Sequence, residues 1–239
     1  MADASNPELL PSLGRLTRGL SALFWGLPVA LIVCAQTSRG DAVQTLGLFA
    51  PLAATGWLIY GVWQLTSFQS QTRTWRRILD RTLLLGWVNF GLAPFLVWAN
   101  RLPSESYFNQ MLLILLVSGT LFLSSLNVVL AHLAAMLPDE ALRLETRGFA
   151  LFNRILLLGG LAIALIYFGL RQMSDLPFGV RVGLLIMERY GRWLMLGLFL
   201  LPLATTMALL WRIKEVVLHA VFSGNAPPCH PNSGNKQPV

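Results

Sequence analysis

Tyr107-Phe-Asn-Gln-Met-Leu-Leu-Ile-Leu-Leu-Val-Ser-Gly-Thr-Leu-Phe-Leu-Ser-Ser-Leu-Asn-Val-Val-Leu-Ala-His-Leu-Ala-Ala-Met-Leu137 runs for 31 residues without an aspartate, glutamate, lysine or arginine. A helix crosses a ~30 Å hydrocarbon layer with about 20 apolar residues. At about 1.5 Å per residue this stretch reaches ~46 Å, more than a membrane needs, so part of it must tilt or project. Comparable runs recur on both sides of it, predicting spans over 19–37, 45–65, 82–102, 107–137, 149–173 and 193–222. The whole chain agrees, with 55% hydrophobic and 12% charged residues and a mean hydropathy of +0.60. A water-facing surface uses about twice that share of charge. The fold expected is therefore an all-α, polytopic helical membrane protein of six transmembrane helices. Residues 1–18 read as a cytoplasmic N-terminal segment, 19–222 as the membrane domain and 223–239 as a disordered C-terminal tail.

The net charge of +7 does not indicate nucleic acid, because the basic residues are scattered between apolar spans and form no face with interleaved aromatics. They carry a topology signal instead. Arg15, Arg18, Arg73, Arg76, Arg77, Arg81, Arg143, Arg147, Arg154, Arg212, Lys214 and Lys236 fall on one side of the predicted layer, 12 of the 18. Arg39, Arg101, Arg171, Arg181, Arg189 and Arg192 fall on the other. The excess marks the first side as cytoplasmic and places both termini there. The dominance of arginine over lysine, with abundant Leu and Ala, fits a bacterial source and hence the plasma membrane. A cleaved leader is not expected, since the segment before the first span is long and amphipathic and no small-x-small site follows it.

Trp25, Trp57, Trp63, Trp87, Trp98, Trp193 and Trp211 lie in or near the ends of spans, where an amphipathic ring anchors at the interface. Pro28, Pro51, Pro94 and Pro202 fall inside spans one, two, three and six, each removing a backbone hydrogen bond and kinking its helix. Pro138, Asp139 and Glu140 read as the immediate start of a new helix, proline being tolerated in a first turn and acids favoured there. Spans four and five then form a tight hairpin. Residues 176–191 read as a short interfacial helix.

Heptapeptides in the odd spans are related: Gly26-Leu-Pro-Val-Ala-Leu-Ile32, Gly91-Leu-Ala-Pro-Phe-Leu-Val97 and Gly160-Leu-Ala-Ile-Ala-Leu-Ile166. A second pattern links Leu46-Gly-Leu-Phe-Ala-Pro-Leu-Ala-Ala-Thr55 to Leu196-Gly-Leu-Phe-Leu-Leu-Pro-Leu-Ala-Thr-Thr206. As a true repeat, these would make the chain three helical hairpins in tandem, related about an axis along the membrane normal.

Every Asp and Glu falls in a loop, a tail or a helix end, which removes the buried carboxylate an ion-coupled transporter ordinarily needs. The polar candidates inside the spans are Asn89, Asn127, His132 and Asn153, with Ser118, Thr120, Ser124, Ser125, Thr205 and Thr206. Interhelical hydrogen bonding accounts for such residues without a substrate. Asn127 and His132, five apart, do not share a helix face. Arg143, Arg147 and Arg154 follow Asp139 at spacings of 4, 4 and 7, placing them on one face entering the headgroup zone. That row would hold lipid phosphates, with Arg73, Arg76 and Arg77 beside Trp75 contributing; snorkelling arginines and an Asp139–Arg143 pair are the simpler reading.

No phosphate-cradling glycine loop, nucleophile elbow or metal-binding helix motif is found. Cys229 and His230 fall short of a zinc ligand set, and no cofactor is implied. Cys34 and Cys229 lie too far apart in kind, one in a span and one in the tail, to pair, so two free thiols are expected. The function these features predict is a non-catalytic membrane subunit or scaffold packed against lipid, itself or another membrane protein. Gly26 with Ala30, Gly160 with Ala164 and Ala131 with Ala135 would let helices approach closely. An oligomeric permease or channel would show a continuous polar face, hinted at only by Asn89 and Asn100. A lipid-modifying enzyme would bring Glu140, Glu145, His132 and Arg143 into one cleft.

Overall fold

A computed structural model describes residues 9–39, 47–66, 73–102, 105–136, 140–172 and 177–223. They form six α-helices: α1 (Leu9–Arg39), α2 (Phe49–Thr66), α3 (Arg73–Arg101), α4 (Ser106–Met136), α5 (Glu140–Gln172) and α6 (Phe178–Ser223). No strand occurs among the described residues. Five of the helices contain a stretch long and apolar enough to cross a membrane: Gly14–Thr37, Arg73–Arg101, Gln110–Met136, Gly148–Leu170 and Gly197–Leu218. The sixth, α2, has 18 residues, about 27 Å of helix, and interrupts its apolar run with two glycines, two tryptophans and a glutamine. The chain is a polytopic helical membrane protein.

Each helix packs on the next in sequence, and α6 returns to α1, closing a ring crossed by α1 against α3 and α4 against α6. Neighbours run antiparallel. Along α3 and α4, Trp75 meets His132, Thr82 meets Ser125, and Asn89 approaches Gly119. Antiparallel packing gathers Arg15, Arg18, Arg73, Arg76, Arg77, Arg81, Arg154, Arg212 and Lys214 at one end of the bundle. Arg101 lies at the other.

The interior is packed with leucine. Leu16, Leu20 and Leu23 of α1, Val62 and Leu65 of α2, Trp75 and Leu79 of α3, Leu126, Leu130 and Leu133 of α4, and Leu210 and Ile213 of α6 form one cluster. α4 contributes Leu126, Leu130 and Leu133 to it and meets α3, α5 and α6. Outside, the surface is oily. Trp25, Trp57, Trp63, Trp87, Trp98 and Trp211 are all exposed, as are Ile32, Leu84, Leu151, Ile155 and Ile166. In the most apolar 18-residue stretch of each of the five spans only 28–39% of the residues are buried, so much apolar surface is left uncovered by protein, as lipid permits and water does not. Hydroxyls in the apolar helices bond back to their own backbone: Thr37 to the Val33 carbonyl at 2.7 Å, Thr55 to Pro51 at 2.7 Å and Thr120 to Leu116 at 2.8 Å. Lipid offers no other partner for them.

Several local expectations change. Pro51 does not lie within a helical interior but in the first turn of α2, where its missing N–H costs nothing; the turn before it is made by Gly47 at φ 51°. Pro28, Pro94 and Pro202 are inside their helices. Residues 178–191 form no separate interfacial helix. They continue unbroken into α6, a single helix of 46 residues. Trp75 is no surface companion of the second-loop arginines but is buried at 1% exposure, its ring stacked on His132 at 6.4 Å. Cys34 is a free, half-buried thiol. Pro138, Asp139 and the segment 224–239 with Cys229 and His230 lie outside the described residues.

The hairpin repeat is matched only in part. α1–α2 and α3–α4 are the most extensive pairings, whereas α5 packs more on α4 than on α6. Gly26 and Gly160 do equivalent work: a Cβ added to the first would stand 3.0 Å from Leu58, and to the second 2.9 Å from Leu198, each on the following helix. Gly91 faces open space, and Gly47 caps a turn while Gly197 is helical. Of the small-residue pairs, Ala30 and Ala164 are half-buried, Ala131 is half-buried and Ala135 is exposed.

Candidate functional site: a polar clasp between three helices

Three of the buried polar side chains come together at one place. Asn127 on α4, Asn153 on α5 and Thr206 on α6 are each 1–2% exposed. The Asn153 amide Nδ2 donates to the Pro202 carbonyl at 3.1 Å and to Thr206 Oγ1 at 2.9 Å. The Thr206 hydroxyl has one proton and two acceptors in reach, the Pro202 carbonyl at 2.7 Å and Asn127 Oδ1 at 3.2 Å. Asn127 Nδ2 donates in turn to the Leu123 carbonyl of its own helix at 3.0 Å.

The Pro202 carbonyl is the acceptor on which the clasp converges. It is not the carbonyl that the proline's missing N–H leaves free, which belongs to Leu198, one turn earlier. The Pro202 carbonyl accepts from Asn153, from Thr206 and, at 2.9 Å, from Thr205. With both Nδ2 protons of Asn153 engaged, its orientation is fixed, because the flipped amide would set an oxygen against the proline carbonyl. Asn153 Oδ1 is then buried without a hydrogen-bond partner. The same is true of Asn89 Oδ1, Ser118 Oγ and Thr146 Oγ1.

Asn127 and Asn153 are thus brought together, through a threonine that sequence reading placed only among the lesser polar groups. Asn89 is elsewhere, on α3, its Oδ1 about 4.0 Å from where a Gly119 Cβ would stand on α4. Asn100, about three turns further along α3, is exposed, so the two do not extend a buried polar face. His132 is half-buried under Trp75 and lies apart from the clasp. A second interhelical bond, Thr82 Oγ1 with Ser125 Oγ at 2.6 Å, joins α3 to α4.

Arg154 is exposed on the outer face of α5. Arg143 and Arg147 belong to the same helix, and their side chains, with those of Glu140, Glu145, Trp193 and His219, lie outside the described residues. No group of three metal-capable side chains occurs among the described residues. The arrangement can hold helices in register; it presents no nucleophile or general base to a substrate among the groups it gathers. Comparison with protein-family models, with characterised proteins and with solved structures found no match to this chain.

Proposed function

We propose that the protein is a non-catalytic membrane subunit or scaffold of the plasma membrane, held with both termini on the cytoplasmic side and working through its outer surface. The observation that carries this reading is how the polar groups are spent: Asn127, Asn153 and Thr206 bond helix to helix inside a ring filled with leucine. Twelve of the 18 basic residues on one side support the orientation. Isolation in a mild detergent tests it. A second membrane protein, or further copies of the chain, should remain in fixed stoichiometry through size-exclusion chromatography. A lone chain that moves solute across proteoliposomes faster than empty vesicles leak would refute the reading and favour a permease.

A permease draws on one observation of its own. The unbonded acceptors Asn89 Oδ1, on the helix that holds Pro94, and Asn153 Oδ1, beside the helix that holds Pro202, are groups that a rearranged bundle could offer to a passing polar group. Lipid phosphates are the proposed ligands of Arg143, Arg147 and Arg154, which share a face by spacing. Replacing all three with Gln should lower the share of anionic lipid co-purifying with the protein; an unchanged share would remove this role.

A further inference from the structure

On the outer side of α1 and α2 the two helices leave a groove of about 610 Å³ lined by Ser21, Ala22, Trp25, Ala53, Gly56, Trp57 and Tyr60. Small side chains make its floor and aromatic rings its walls. It exists because α1 and α2 cross very closely just beside it: a Cβ added to Gly61 would stand 2.8 Å from Leu23 Cγ, and one on Gly19 would stand 2.9 Å from Gln64 Cβ.

The groove has a chemically distinct end. Ser21, Ala22 and Trp25 share an α1 face with Arg18, which is exposed one turn beyond them, about 5.4 Å along the axis toward the basic end of the bundle. At that level α2 presents Gln64, whose Nε2 donates to Tyr60 OH at 2.7 Å. The tyrosine hydroxyl spends a lone pair on Gln64 and keeps its proton. Arg18 therefore stands within side-chain reach of the mouth, beside the Tyr60 O–H, and the rest of the lining is carbon apart from the Ser21 hydroxyl and the indole N–H groups. A slot that is cationic and hydrogen-bond donating at the interface and apolar below it complements an amphiphile with an anionic head.

We infer that the α1–α2 groove binds one anionic phospholipid of the surrounding bilayer, its phosphate at Arg18 and Tyr60 and an acyl chain lying between Trp25 and Trp57. The inference rests on the membrane placement of the chain and is independent of the scaffold role. It is separate from the arginine row of α5, which lies on a different helix.

Native mass spectrometry of the full chain, released from detergent containing phosphatidylglycerol or phosphatidylcholine, tests it. The wild-type protein should retain one phosphatidylglycerol per chain and discriminate against phosphatidylcholine. Arg18→Gln should cut that retention about fivefold, the contribution of a single basic residue near a membrane surface, whereas Arg101→Gln at the opposite end should not. Ala53→Leu, which fills the floor from an exposed position, should lower retention of both lipids, and Ala162→Leu on the exposed face of α5 should leave it unchanged. Equal retention of the two lipids by the wild type, or no response to Ala53→Leu, would overturn the inference. So would a dimer that Ala53→Leu splits, because the groove would then seat a second copy of the chain.

Discussion

At the scale of the residue, Thr206 is the hinge of the buried polar chemistry. Its hydroxyl receives Asn153 and reaches toward Asn127, so Thr206→Val removes the bridge while keeping the shape. Interhelical hydrogen bonds in membrane proteins contribute about 0.6 kcal/mol on average and up to ~1.7. The variant should therefore lose about 1 kcal/mol, read as a lower midpoint in unfolding by a denaturing detergent. Thr205→Val is the matched control. That hydroxyl bonds only the Pro202 carbonyl of its own helix, so the midpoint should stay near the wild-type value. Equal losses in both would show that the clasp contributes nothing beyond its helix.

At the scale of the element, two kinds of fastening hold the ring. α1 and α2 meet through Gly19 and Gly61, where backbone approaches side chain closely enough that a methyl has no room. Gly61→Ala should force the helices apart and cost about 1–3 kcal/mol. Gly91→Ala, in open space on α3, should be neutral or gain up to about 1 kcal/mol through helix propensity, and the same unfolding measurement separates the two. α5 is attached differently. Among the described residues, none of α5 belongs to the central leucine cluster. It is held by Asn153, by Leu157 and Leu161, and by Gly160 against Leu198. α5 should accordingly open first: amide hydrogen exchange in its apolar half should outpace that of α4 in the same micelle. Slower exchange in α5 than in α4 would contradict this account of the core.

At the scale of the whole molecule, antiparallel packing puts Arg76 and Lys214 at the same end and Arg101 at the other. In a background with Cys34 and Cys229 changed to Ser, cysteines placed at Arg76 and Lys214 should share one response to a membrane-impermeant maleimide and a cysteine at Arg101 the opposite one. A shared response at all three would break the topology. This end-to-end pattern was legible from the spacing of arginines, and the number of helices from the apolar runs, because crossing lipid imposes a length and an apolar composition on a segment; five of the six helices meet that requirement and α2 does not. The lengths were less legible. α1, α3, α5 and α6 start well before the spans predicted for them, since a helix continues past the membrane wherever its side chains allow, and hydropathy marks only the part lipid touches.

The sequence by itself determined that this chain lies in a bilayer as a helical bundle, which end carries the positive charge, and which few amides lie within apolar spans. Those are properties of single segments in a uniform solvent. Only tertiary structure decided that Asn127 and Asn153 meet through Thr206 while Asn89 does not, that Trp75 faces inward, and that α1 and α2 leave a groove beside Arg18. Each of these depends on the rotation and close approach of one helix against another. In lipid that choice is not driven by hiding oil from water, for the outward faces of the spans are oily as well; it is made by glycine contacts and a handful of hydrogen bonds.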